Sequence, residues 1–237
     1  MAATFLRRTG CLAVAIAIGA LAGCGSSSRS GSSASEPAGK ILANVRSLGL
    51  AAKSVHISGS VKQGSTTVTL DMSFDGSDFF GTVQEGATTI DMQRLGGKVY
   101  VKLTSAFLKT ADVPSSVAGT VCAKYCGHYV QLPASDAAQL TGKLSMGQLV
   151  NQAFSAKAVA DAKQTNVEFV PATLDGRSVL QASQGGYTFD VTSGSAHYPV
   201  LWAAKGQRIE FSDWNSVTLP APPPASDIIS LSSLAGA

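Results

Sequence analysis

The sequence predicts an α+β fold: a single strongly curved antiparallel sheet, a half-barrel of about 10–11 strands, wrapped around two or three helices. Three observations predict it. Apolar and polar residues alternate with a period of two through two long blocks; the breaks between these runs are short and mostly carry glycine; and apolar residues take helical spacing only in separate stretches before, between and after the blocks. The composition agrees: of 237 residues 45% are apolar and 14% charged, and Leu, Val and Ile are diluted by Ala, Gly, Ser and Thr. That mixture suits β-rich structure with tight turns better than a Leu-packed bundle, and it is too apolar for disorder throughout.

Ser35-Glu36-Pro37 offers an N-cap, an early acid and a first-turn proline. Ile41, Leu42, Val45, Leu48 and Ala52 follow at helical spacing, so a helix runs from Pro37 to about Ala52. The period then becomes two. Val55, Ile57 and Val61 mark one strand, and Val68, Leu70, Met72 and Phe74 mark a second over Thr66–Phe74. Phe79–Gln84, Thr88–Arg94 and Lys98–Thr104 follow. Their breaks, Gln63-Gly64-Ser65, Asp75-Gly76-Ser77, Glu85-Gly86 and Gly96-Gly97, are hairpin chemistry, so these strands form an antiparallel meander.

In the middle of the chain, Ser135 caps a short helix through Leu140. Ser145-Met146-Gly147-Gln148 has the form of a capping box ahead of Leu149, Val150, Ala153, Phe154 and Val159, which predicts a helix from Met146 to about Ala162. The strand period returns over Asn166–Val170, Arg177–Ser183, Tyr187–Thr192, Val200–Lys205 and Arg208–Asp213. Pro220-Ala221-Pro222-Pro223-Pro224 opens a proline-rich tail over 220–237, with a short amphipathic helix expected at Asp227–Leu234. Neither block carries enough helix to cover its own sheet, so residues 37–219 are expected to form one domain.

Residues 1–23 read as a lipoprotein signal peptide. Met1 to Arg8 ends in a basic pair, and Cys11 to Ala22 is an uncharged, mostly apolar run. As a helix that run spans about 18 Å, well short of the roughly 30 Å hydrocarbon core of a bilayer. Leu21-Ala22-Gly23-Cys24 has the form of the bacterial lipobox: a branched residue, two small ones, then the cysteine that receives diacylglycerol after cleavage between Gly23 and Cys24. Cys11 lacks the apolar residues that such a motif needs before it. Arg7-Arg8 also faintly resembles a twin-arginine signal, but its surroundings favour the general secretory route. Residues 24–36 are rich in Ser and Gly, a flexible tether with a root-mean-square reach of about 20 Å. The expected location is the extracytoplasmic side of the cell membrane, anchored through a lipidated Cys24. Two or more acyl chains, palmitate among them, make such an anchor durable.

Once Arg7 and Arg8 leave, 16 Lys and Arg face 15 Asp and Glu. A chain so near neutral lacks the clustered basic face of a nucleic-acid binder. Cys122 and Cys126 remain besides the anchor, and in an oxidising compartment they predict a local disulfide that pins a loop. The competing reading is a metal held by Cys122, Cys126 and His128, for which a fourth ligand is lacking. Enzyme signatures are absent: there is no Gly-x-Ser-x-Gly, His-Glu-x-x-His or phosphate-binding glycine loop. Ser193-Gly194-Ser195-Ala196-His197 sets serines near a base, but neighbours on one turn rarely form a working dyad. No catalytic residue, cofactor or metal is expected.

The chain resembles the actinobacterial LppX/LprG-type lipoproteins, which share a half-barrel architecture with the LolA and LolB lipoprotein carriers. The resemblance rests on Leu21 to Cys24, on Ser54-Val55-His56 at the first strand, and on Gly96-Gly97-Lys98-Val99-Tyr100-Val101-Lys102. Leu174-Asp175-Gly176 and Phe211-Ser212-Asp213-Trp214 add to it, and the order of elements from Pro37 to Pro220 carries the weight. It implies an apolar cavity between sheet and helices that takes acylated lipid or glycolipid for carriage in the envelope, with a transporter as a possible partner. Strand parity supplies the candidate lining: Val68, Leu70, Met72, Phe74, Ile90 and Met92 on one sheet face, with Leu149, Val150 and Phe154 on a facing helix. The alternative is a surface lipoprotein, sensor or scaffold, in which the same residues fill a packed core.

Overall fold

The structure, a computed structural model, describes residues 35–63, 66–110, 113–141, 145–164 and 166–230. The signal peptide, Cys11, Cys24 and nearly all of the tether lie outside the described residues. In chain order the elements are β1 (Glu36–Pro37), α1 (Ala38–Ala51), β2 (Ser54–Gln63), β3 (Thr66–Asp75), β4 (Asp78–Glu85), β5 (Thr88–Leu95), β6 (Lys98–Lys102), α2 (Ser105–Thr110) and α3 (Ser115–Tyr125). There follow β7 (Tyr129–Gln131), α4 (Ala134–Thr141), α5 (Met146–Ala153), α6 (Ala156–Ala162), β8 (Glu168–Leu174), β9 (Arg177–Gln184), β10 (Tyr187–Thr192), β11 (Pro199–Ala204), β12 (Gln207–Ser212) and β13 (Ile228–Ile229).

Internal contacts gather into two units. The flanking unit holds residues 35–61 and 146–216 of the described chain, and the central unit holds 62–145 and 217–230. The predicted class, α+β with antiparallel strands against helices, is found in each. In the flanking unit the strand order is β1-β8-β9-β10-β11-β12-β2, antiparallel at every pairing. In the central unit it is β3-β4-β5-β6-β7-β13, antiparallel except for β13, which runs parallel to β7. The meander strands β3 to β6 follow the glycine-bearing turns expected of them.

Besides the short strands β1 and β7, four features differ from the sequence reading. The predicted helix from Met146 to Ala162 is two helices, because Phe154 turns into the core and Ser155 starts α6 as its N-cap, its carbonyl accepting the Val159 N–H at 3.1 Å. The segments 105–110 and 115–125 are helices, so the central unit carries α2, α3 and α4 of its own. Thr104 caps α2 by accepting the Phe107 N–H at 3.0 Å, and Ala118, Val121, Cys122 and Tyr125 face the cluster around Leu103, Leu108 and Val130. Cys122 and Cys126 are disulfide-bonded, as predicted, but across the last turn of α3 rather than in a loop. In the tail, a 3-10 turn at Ala225–Asp227 leads into β13 where a helix was expected; the residues from 231 onward lie outside the described chain.

In the flanking unit, α1 is the central helix. Ile41, Leu42 and Val45 are buried, and α1 packs on both α5 and α6. Two of its glycines make that possible. A Cβ on Gly49 would lie 3.1 Å from Val150 of α5, and one on Gly39 would lie 2.8 Å from the Cα of Lys163, just beyond α6. Gly39 is thus a contact point between backbones, where a methyl group forces a shift. Gly119 on α3 is the opposite case, with nothing within 4 Å of its Cβ position. We expect Gly39→Ala to destabilise the fold by about 1–3 kcal/mol through overpacking, and Gly119→Ala to stabilise it by about 0.5–1 kcal/mol through helix propensity. Urea unfolding of the two variants checks the pair; a Gly39→Ala chain as stable as its parent contradicts the close α1 packing.

Candidate ligand-binding site

The helix-side face of the flanking sheet is built by register. Phe189 on β10 lies opposite Ala182 on β9 and Trp202 on β11, and Trp202 lies opposite Ile209 on β12. Direct antiparallel partners share a face, so these residues form one row across four strands. Phe154, at the end of α5, sits 5.4 Å from Phe189 between ring centroids, which identifies the row as the face the helices cover. Phe169 of β8 meets Phe189 edge-on at 5.9 Å. Every one of these side chains is buried.

Trp202 brings a polar atom into this lining, and Gln184, opposite Tyr187 on the same face, brings another. Trp202 is 4% exposed, and its Nε1 is buried with no hydrogen-bond acceptor. Tyr187, 38% exposed, stands 6.5 Å away at the rim. Trp214 shows how the fold treats an indole elsewhere: its Nε1 donates to the Pro199 carbonyl at 2.9 Å, and its ring stacks on Tyr198 and Phe211. A buried donor without an acceptor costs about 1–3 kcal/mol, which a phenyl ring at position 202 would avoid.

The opposite face of the same strands holds Asp190, fully buried opposite Gln181 and Leu201. Gln181 Nε2 donates to Oδ1 at 2.8 Å, whereas Oδ2 has no partner. Burial pushes the carboxyl above its ordinary value, opposed by the Gln181 hydrogen bond and the positive charge of Arg208.

A polar groove of about 750 Å³ lies between α1 and the loop after β10, lined by Glu36, Lys40, Asn44, Ser193, Ser195 and His197 among others. The loop is closed on Thr192, whose hydroxyl donates to the Ala196 carbonyl and accepts the Tyr198 N–H at 2.9 Å. Asn44 Oδ1 accepts the His197 N–H at 3.0 Å and ties the loop to α1. Lys40 donates to Glu36 at 2.7 Å and holds its carboxyl below the ordinary carboxylate range. His197 is buried, with Nδ1 3.2 Å from the Thr192 carbonyl and Nε2 3.9 Å from Glu36. The two ring nitrogens thus face the Thr192 carbonyl and Glu36, contacts that fasten the loop.

The residues proposed from parity divide between the units. On β3, Val68, Leu70, Met72 and Phe74 are all buried; on β5, Met92 is buried and Ile90 half-buried. Register places these six on one face: Leu70 opposite Val83 opposite Ile90, and Met72 opposite Gly81 opposite Met92. Val150 and Phe154 are buried and Leu149 half-buried in the flanking unit, where α5 packs against α1 and Phe154 against Phe189. The disulfide occupies both thiols of the alternative Cys122, Cys126 and His128 metal set. Trp202 and Asp190 were missed. Val200-Leu201-Trp202 is a continuous apolar run that conceals which face the indole takes, and Asp190 stands at the polar parity of its strand, where an acid reads as surface.

No protein-family profile matches the sequence, and no match to it is found among curated proteins. Among solved structures the chain is similar to LprF from Mycobacterium bovis, with 16% identity over 81% of this chain and 100% of that one, at a TM-score of 0.49. No helix among the described residues is long and apolar enough to cross a membrane.

Asp190 gives a pH dependence of known sign. Its folded-state pKa lies above the unfolded value, so the native state holds the proton more tightly. Stability from this group is therefore greatest below the ordinary aspartate pKa and falls as pH rises through the raised one. Asp190→Asn keeps an oxygen for Gln181 and removes the buried charge. It should stabilise the chain more near neutral pH, where the buried charge is removed, than near pH 3. Urea unfolding at both pH values checks this, and an equal effect at both contradicts it.

Proposed function

We propose that the chain is an exported lipoprotein, held at the outer face of the cell membrane through a lipidated Cys24, that binds an acylated lipid or glycolipid on its helix-covered apolar faces and carries it within the envelope. The candidate lining is Val68, Leu70, Met72, Phe74, Ile90 and Met92 on the face of the central unit and, taken by itself, Leu149, Val150 and Phe154 in the flanking unit. The observation that carries the reading is the row Met72, Gly81 and Met92 at the centre of the central unit's apolar face. Gly81 has no side chain there, and a Cβ at that position would lie 2.9 Å from the Met72 sulfur, so a thioether lies over it. Methionine is the apolar side chain that most readily takes a new shape. An acyl chain laid on this row therefore displaces flexible thioethers rather than branched side chains held in single rotamers. Each methylene buried contributes about 0.8 kcal/mol.

The packed-core reading draws on Phe154 and Phe169, whose rings close on Phe189 and fill space under α5. Native mass spectrometry of the chain purified from its own host separates the two. Stoichiometric acyl lipid on the protein is the expected result; bare polypeptide alone overturns the carrier reading and leaves the packed core standing.

A further inference from the structure

We infer that Trp202 is the residue that reads the polar end of the bound acyl group, its indole N–H donating to the carbonyl oxygen of an ester or to a carboxylate. The inference rests on the acyl-lipid reading above as it applies to the flanking unit's own face, where Phe154 of the candidate lining meets Phe189, and adds the ligand's functional group and the side chain that recognises it. Three observations lead there. The Trp202 ring belongs to a row of otherwise apolar side chains, Ala182, Phe189 and Ile209, on the face that Phe154 covers. Its Nε1 is buried and meets no acceptor, in a fold that supplies one to Trp214. It also lies beside Tyr187, the half-open rim of the same face, so an acceptor arriving with a ligand has a short way to come.

The chemistry narrows the ligand. An indole N–H donates and cannot accept. Its complement is an oxygen with free lone pairs attached to a body that tolerates an aromatic surround, which describes an acyl carbonyl; a plain hydrocarbon leaves the N–H unanswered. Ammonium and other donor-only headgroups do not fit. An ester and a free fatty acid share this oxygen, and the test tells them apart.

The experiment uses the mature chain and three 16-carbon probes: palmitic acid, methyl palmitate and hexadecane. Binding is measured to the parent and to Trp202→Phe, which keeps an aromatic ring and removes the N–H. Loss of one buried hydrogen bond weakens binding by about five- to tenfold. That loss is expected for the ester, the acid or both, with hexadecane unchanged; the member affected identifies the source of the oxygen. Equal affinities in parent and variant for all three probes overturn the inference while the lipid reading stands. A uniform loss across the three overturns it too, as the mark of a packing role. A parent that binds none of them overturns the lipid reading and this inference with it. A second readout needs no variant to bind ligand. The chain has two tryptophans, hence two indole N–H resonances. The Trp202 signal, assigned by its absence in Trp202→Phe or its persistence in Trp214→Phe, should move downfield with the oxygen-bearing probe and not with hexadecane. An unmoved signal in the presence of bound ester and acid overturns the inference.

Discussion

The constraint on which this fold depends is that a strand such as β3 keeps one of its faces from water. A period of two puts Val68, Leu70, Met72 and Phe74 on one side of β3 and Thr67, Thr69, Asp71 and Ser73 on the other, and the burial alternates accordingly. The same constraint sets the flanking unit. There α1 is drawn in so closely that Gly39 has no room for a side chain and Gly49 only a tight place against Val150, and Phe154 is driven onto Phe189. Hydrophobic burial is not directional, so it fixes which face is covered but not whether side chains alone do the covering. That freedom is what a lipid carrier exploits.

Among the buried side-chain atoms of the described residues without a hydrogen-bond partner are one on Asp190 and one on Trp202, with others on Gln93 and Gln184. Asp190 retains one oxygen without a partner on the sheet's other face, and Trp202 retains a donor without an acceptor inside the helix-covered one. Their surroundings separate them. Asp190 has Gln181 on its second oxygen and the charge of Arg208 acting on it, so the protein itself partly answers it. Trp202 has Phe189, Ile209 and Tyr187 beside it, and its one polar atom has no partner. His197, by contrast, is a buried polar residue fully explained by its neighbours, since Thr192, Asn44 and Glu36 account for its position.

Much of the fold was legible because it is written in period. The meander of β3 to β6, the helix α1 and the strands β9 to β12 follow from alternation and from glycine at the turns. What escaped was short or capped without a strong apolar stripe. β1, β7 and β13 have two, three and two residues, too few for any period to register. The helix α3 hid behind its cysteines, although Ala118, Val121, Cys122 and Tyr125 stand at helical spacing. The break at Phe154 was hidden for the converse reason: the apolar spacing continues through it, and only Ser155 as an N-cap marks the new start. For the candidate site, parity found the row on β3 and β5 but gave no sign of Trp202, because a run of consecutive apolar residues carries no face assignment.

The most direct measurement is a crystal structure of the mature chain with a long-chain ester bound. The account predicts density for the acyl chain under the helices of the flanking unit, against Phe189 and Ile209, with the carbonyl oxygen about 2.9 Å from Trp202 Nε1. An ester bound instead in the polar groove beside Lys40, with the indole N–H still lacking an acceptor, would contradict it.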